Sequence, residues 1–127
     1  MFKIEDEIIH CTRGDKGNIN FSCPNKDGTN YIFQQGQIII FKVYDSKDVE
    51  KVVLQKDVKV ENDCSSVIIP LTSEDTTIGD YINKKKTYSY EISINDDMTV
   101  IGYDEEGSKL FVLYPEAGKK ENGGEVL

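Results

Sequence analysis

The chain has one histidine and three cysteines, the residue types that supply an imidazole base or a thiolate ligand: His10, Cys11, Cys23 and Cys64. A histidine-based general base would have to be His10, and the nucleophile motif Gly-x-Ser-x-Gly does not occur. Neighbouring side chains of a strand point to opposite faces, so His10 and Cys11 could not readily bind one metal ion. The cysteines lack a Cys-x-x-Cys spacing. The sequence therefore predicts no enzyme, no catalytic or cofactor-binding residues, and no metal site.

Three short motifs suggest binding but are better interpreted as local structure. Arg13-Gly14-Asp15 is the tripeptide that integrins bind on a displayed loop, yet its glycine and aspartate are equally typical of a tight turn. The acidic stretches 95–97 and 104–107 offer oxygen ligands for calcium without the EF-hand spacing, which favours solvated turns. Asn20-Phe21-Ser22 matches a glycosylation sequon but falls inside a predicted strand. None of the three is predicted to be a functional site.

Four tyrosines form the remaining candidate site. Tyr88, Tyr90, Tyr103 and Tyr114 could stack on sugar rings if they reached the surface together. Tyr88 and Tyr90 alternate with polar residues, which places them on an apolar face and predicts a core role. A carbohydrate- or receptor-binding module would need exposed aromatic residues on one face. It is kept as the alternative function.

The element that must hold these tyrosines is a strand over residues 87–94. Tyr88, Tyr90, Ile92 and Ile94 alternate with polar residues, which gives a strand one buried face and one wet face. A strand with such an aromatic face needs a second layer to cover it. The 87–94 stretch therefore predicts a layered β structure.

The remainder of the chain repeats this two-residue alternation, with a turn signal about every ten residues. Lys56 points inward in its strand, which is typical of an edge strand, and Pro70 is expected on an outward face. One helical turn is predicted over 72–77, where Thr72 or Ser73 can cap. The other predicted strands span 4–12, 18–23, 37–44, 51–61, 66–71, 99–103 and 108–114, and a hairpin loop over 104–107 is predicted to join the last two. This pattern predicts an all-β fold with little helix: a two-layer antiparallel β-sandwich of the immunoglobulin-like kind.

Chain length, net charge and cysteine count predict the domain organisation and disfavour several classes of partner. The 127 residues predict one β-sandwich domain over 1–115, followed by a flexible C-terminal tail over 116–127. The net charge of −8 disfavours nucleic acid and anionic membrane surfaces as partners. No apolar run approaches the ~20 residues of a membrane span, and the N-terminus does not read as a secretory signal. The odd cysteine count favours reduced thiols in a cytosol.

Several short motifs follow one another along the chain in a defined order. Thr12-Arg13-Gly14-Asp15 precedes Ile19-Asn20-Phe21, Phe33-Gln34-Gln35-Gly36-Gln37 and Phe41-Lys42-Val43. Leu71-Thr72-Ser73-Glu74-Asp75-Thr76 then precedes Gly79-Asp80-Tyr81 and Tyr88-Ser89-Tyr90-Glu91-Ile92. Over residues 9–114 this series resembles a family of small phage and prophage proteins of Gram-positive bacteria, in particular the N-terminal domain of the baseplate upper protein of siphophage tails.

The resemblance implies a β-sandwich that attaches to neighbouring tail proteins and organises receptor-binding parts. It implies no catalytic residues and no cofactor. The sequence does not carry the long helical extension of the fuller family pattern, so we expect a separate small virion component. We expect it to be made in the bacterial cytoplasm, to contact other tail or baseplate proteins, and to be capable of forming a homo-oligomer.

Overall fold

A computed structural model describes residues 1–45 and 48–117, and it is mostly β, with 54% of residues in strands and 4% in helix. The predicted all-β class with little helix is therefore confirmed. The described residues form nine strands and one short helix. In chain order these are β1 (Phe2–Glu5), β2 (Ile8–Thr12), β3 (Gly17–Phe21), β4 (Ile38–Asp45), β5 (Asp48–Lys59), β6 (Val67–Leu71), α1 (Ser73–Thr76), β7 (Lys86–Ile94), β8 (Met98–Ile101) and β9 (Lys109–Tyr114).

The strands form a seven-stranded sheet and a two-stranded sheet. The larger sheet has the order β1-β2-β9-β7-β4-β5, with β8 also paired to β7, and the smaller sheet pairs β3 with β6. The prediction of a purely antiparallel fold is wrong, because β2 and β9 pair in parallel and make the large sheet mixed. The direction of β9 is set by its antiparallel pairing with β7, and β2 then joins its other edge.

One predicted strand boundary and one predicted hairpin need correction. The single strand expected over 4–12 is broken at Asp6 and Glu7, whose φ angles of 52° and 65° reverse the chain between β1 and β2. The loop over 104–107 is a tight turn, but it does not join a hairpin. Instead β9 pairs with the first half of β7 and β8 pairs with its second half, so the two strands share one edge of β7.

The buried faces of both sheets meet in one hydrophobic cluster. On β4 the predicted inward residues Ile39, Phe41 and Val43 are fully buried, and on β7 the four alternating apolar residues are also buried. Ile19 and Phe21 of β3 belong to the same cluster as these residues, together with the inward side chains of β6. The period of two therefore predicted correctly which side chains of these strands form the core.

The helical turn and the edge strand are connected by an ion pair. Thr72 caps α1: its hydroxyl accepts from the Asp75 amide, while the Asp75 carboxylate accepts from the Thr72 amide. The Lys56 ammonium lies 2.8 Å from Asp75 Oδ2. The inward charge of Lys56 is thus neutralised, and β5 is an edge strand of the large sheet, as predicted. Within the described ranges no helix has the length and apolar character needed to cross a membrane.

Candidate functional site

The candidate site is a groove on the face of the large sheet that points away from the core. It has a volume of about 250 Å³ and is lined by Tyr44, Ser89, Tyr90, Glu91, Tyr103, Ser108 and Lys109. These residues are called the Tyr103 groove below. Ser89 and Glu91 are the polar, outward residues of β7, so strand alternation directs them away from the core.

Sheet register places Tyr44 beside the polar residues of β7. Tyr44 lies directly opposite Ser89 across the β4–β7 pair, and its hydroxyl donates a hydrogen bond of 2.6 Å to Glu91 Oε1. Burial, followed by the hydrogen bond to Glu91, raises the pKa of Tyr44 to about 12. Tyr44 is therefore a neutral donor across the physiological pH range, and it fixes one wall of the groove.

The opposite wall is formed by the loop that follows β8. Gly102 is buried in this loop, and a Cβ atom there would lie 2.8 Å from Thr99 Cγ2 and 3.5 Å from Glu91 Cβ. The absence of a side chain at Gly102 lets the loop pass close to β7. The next residue, Tyr103, is 82% exposed. The close approach at Gly102 thus holds the residue before Tyr103 against Glu91.

Lys109 also lines the groove, and two carboxylates neutralise its positive charge. Its ammonium lies 3.2 Å from Glu7 Oε1 and 3.0 Å from Asp104 Oδ2. Hydrogen bonds from Lys109 and the Glu106 amide lower the pKa of Asp104, and the bond to Asp104 raises the pKa of Lys109. The three charges hold the loop over 104–107 against the turn between β1 and β2.

The structure separates His10 from the cysteine thiol next to it in sequence. His10 Nδ1 lies 2.8 Å from the Tyr114 hydroxyl, whereas Cys11 is fully buried in the core cluster. Burial, with a smaller contribution from Asp15, raises the pKa of the Cys11 thiol to about 11. Cys11 is therefore an unreactive core thiol at neutral pH. Within residues 1–45 and 48–117, no three His, Cys, Asp or Glu side chains are grouped so that they could hold a metal ion.

The Arg13-Gly14-Asp15 motif forms a turn whose arginine points inward. Arg13 is 3% exposed, and its Nη1 lies 2.8 Å from Glu116 Oε1. Its Nε and Nη2 donate to the carbonyls of Ile78 and Gly79. The adhesion interpretation requires a displayed arginine, which this geometry does not provide. Glu116, the first residue of the predicted tail, is buried in this contact, while residues 118–127 lie outside the described part of the chain.

The four candidate tyrosines do not share a surface. Tyr88 and Tyr90 are buried, as alternation predicted, and Tyr114 contacts His10. Tyr103 alone is largely exposed, and it lies outside β8 rather than within the strand predicted over 99–103. The second aromatic residue of the groove, Tyr44, was missed as a site residue. Its outward position on the 37–44 strand was visible in the sequence, but its pairing with Ser89 was not.

The acidic turns have the structural roles that the sequence suggested. Asn95 and Asp96 take φ angles of 54° and 57°, which turn the chain from β7 into β8. Asp96 pairs with Lys42 at 3.2 Å, and Asp104 accepts from the Glu106 amide within its own turn. These carboxylates lie at turns and contact neighbouring donors.

Comparison with known proteins adds nothing to this geometry: no protein-family model, no curated protein and no solved structure matches the chain.

Proposed function

We propose that this chain is a non-enzymatic structural protein of a phage or prophage tail, acting through protein–protein contacts in virion assembly. The observation that carries the proposal is the ordered series of motifs over residues 9–114, which resembles the N-terminal domain of the baseplate upper protein family. The proposal includes production in the bacterial cytoplasm and incorporation into the particle.

The contacts made by the motif residues support the proposal. Arg13 joins its turn to Glu116 and to the carbonyl of Gly79, and Thr72 forms a reciprocal cap with Asp75. The residues that carry the resemblance are therefore residues that hold segments of this fold together. A shared series of such residues is what a shared fold would require.

Exposed apolar side chains on strand edges favour protein partners. Ile4 on β1 is 40% exposed and Val52 on β5 is 42% exposed, and these strands are the two edges of the large sheet. Ile68 on β6 of the small sheet is 55% exposed. Edge strands offer unpaired backbone groups to another chain, so these edges are suited to tail or baseplate neighbours or to a second copy.

The finer architecture belongs to the same proposal. We propose that the two sheets form a two-layer sandwich of the immunoglobulin-like kind, since the inward residues of β3 and β6 share one cluster with those of β4 and β7. An experimental structure checks this directly. It should show the two sheets stacked face to face about 10 Å apart, and an open single-layer arrangement would contradict it.

Particle composition tests the tail role. The chain should be detected by mass spectrometry in purified particles, in a fixed ratio to other tail proteins. Deleting its coding sequence should leave particles that are defective in assembly or infection. Intact and infective particles after deletion would count against an essential structural role, and light scattering of the isolated protein would show whether it oligomerises without partners.

A carbohydrate- or receptor-binding module is the second candidate function. The observation in its favour is the Tyr103 groove, which is lined by the 82% exposed Tyr103 together with Glu91, Ser89 and Ser108.

A further inference from the structure

We propose that the Tyr103 groove binds a neutral saccharide, with the Tyr103 ring stacking on the C–H face of a sugar and Glu91, Ser89 and Ser108 bonding its hydroxyls. This proposal rests on the second candidate function and deepens it, because it names the class of sugar and the side chains that would contact it. It applies whether or not the chain is a virion component.

The stacking surface is the first requirement, and Tyr103 supplies it. At 82% exposure, the ring does not contribute to the core, and the loop that carries it is held close to β7 by Gly102. Tyr44 also lines the groove and is held in place by its 2.6 Å hydrogen bond to Glu91. An aromatic face of this kind matches the apolar C–H face of a sugar ring, and the tyrosine hydroxyl can remain in water.

Hydrogen-bonding capacity is the second requirement. The Glu91 carboxylate offers about four acceptor sites, and one of its oxygens accepts from Tyr44. Ser89 and Ser108 also line the groove, and a serine hydroxyl can both donate and accept. Sugar hydroxyls need donors and acceptors close together, and this set of side chains provides both.

Charge selects a neutral ligand over an anion. The Lys109 ammonium is already bound between Glu7 and Asp104, so the described residues that line the groove leave no cation available to attract a phosphate or carboxylate. Glu91 and the net charge of −8 repel anions further. The volume of about 250 Å³ is below the range of roughly 300–1,000 Å³ typical of drug-sized ligands, which limits the ligand in the groove to about one sugar ring.

Titration of the ¹⁵N-labelled full chain with glucose, galactose, N-acetylglucosamine and its short oligomers tests the proposal. At least one sugar should shift the amide resonances of Ser89, Glu91 and Tyr103 in a saturable manner. Tyr103→Ala should weaken that binding about tenfold or more. Tyr81→Ala is the matched control, because Tyr81 is also exposed but lines a different cavity, and it should bind the sugar as the parent does.

Two further measurements make the result decisive. Glu91→Gln keeps the acceptor but removes the charge, so it should hold saccharide affinity within about threefold. Choline serves as the contrasting probe, since aromatic rings beside a carboxylate also attract quaternary ammonium groups. Choline binding that is lost in Glu91→Gln would overturn the proposal. It is equally overturned if no sugar shifts these resonances at millimolar concentration, or if Tyr103→Ala, with an unchanged folded spectrum elsewhere, binds sugar normally.

Discussion

Arg13 and Glu116 form a buried ion pair between a turn near the start of the chain and the residues after β9. The two side chains are 3% and 5% exposed, and their atoms Nη1 and Oε1 lie 2.8 Å apart. Arg13 also donates to two carbonyls, at Ile78 and Gly79. At the scale of single residues, this pair is the contact that ties three distant segments together.

We expect Arg13→Ala to lower the free energy of unfolding by about 3–5 kcal/mol, because it leaves the Glu116 carboxylate buried without its partner. Lys3→Ala is the control, since Lys3 and Glu5 form an exposed pair that contributes little. Urea denaturation followed by circular dichroism measures both. The double variant that combines Arg13→Met with Glu116→Leu should recover much of the free energy of unfolding that Arg13→Ala loses. A double variant as unstable as Arg13→Ala would show that the unpaired charge is not the cause.

The raised pKa of the buried Cys11 thiol predicts a lower free energy of unfolding at alkaline pH. Burial raises the pKa of its thiol from 9.0 to about 11 in the folded state. As the pH rises from 9 to 11, the unfolded chain loses this proton while the folded chain keeps it, so unfolding becomes more favourable. The full decrease in the free energy of unfolding is about 2–3 kcal/mol.

Urea midpoints at pH 8, 9.5 and 11 measure this effect. Cys11→Ala should remove this part of the decline, whereas Tyr44 and Tyr90, whose pKa values are raised to about 12 by burial, destabilise both proteins alike above pH 10. An equal decline in the parent and in Cys11→Ala would contradict the assignment.

At the scale of elements, α1 depends on its cap. A helix of four residues cannot be stable through its own backbone hydrogen bonds, and the Thr72–Asp75 reciprocal pair supplies bonds that its first amides would otherwise lack. Asp75 also binds Lys56 of β5. The cap therefore fixes the segment between β6 and β7 against the edge of the large sheet.

Thr72→Ala should lower the free energy of unfolding by about 1 kcal/mol, because it removes the hydroxyl that accepts from the Asp75 amide. Thr72→Ser keeps that hydroxyl and should stay close to the parent. Chemical denaturation of the three proteins compares them. A Thr72→Ser variant that is as unstable as Thr72→Ala would assign the effect to the lost methyl group instead.

At the scale of the whole molecule, both edges of the large sheet expose apolar side chains, and these edges are the surfaces that the proposed tail role would use. We expect Ile4→Lys and Val52→Lys to change the free energy of unfolding by no more than about 0.5 kcal/mol, because Ile4 is 40% and Val52 42% exposed and neither belongs to the buried core. Both changes should reduce incorporation into particles, since a charge at the edge opposes strand pairing.

Quantitative mass spectrometry of particles from complemented deletion strains measures incorporation. Ile32→Lys is the matched control: Ile32 is 50% exposed but lies outside the strands. Normal incorporation of both edge variants would place the assembly contact elsewhere on the surface.

Residue alternation and turn chemistry were sufficient to predict the β class, the buried faces of β4 and β7, the capped turn at α1 and the edge position of β5. These are local properties: a strand directs alternate side chains to opposite faces whatever its partners are, and a cap is made within four residues. The inward Lys56 marked an edge because an unpaired charge is tolerated only where a partner or water can reach it.

Tertiary structure alone decided the strand order, the parallel β2–β9 pair and the Tyr103 groove. Cys11 faces Leu113 across that pair, and the groove joins Tyr44, Glu91 and Tyr103 from three separate segments. The buried partner of Arg13, likewise, is a residue at the far end of the fold. Such pairings depend on which distant surfaces bury each other best, and the free energy of that burial belongs to the assembled chain rather than to any short stretch of it.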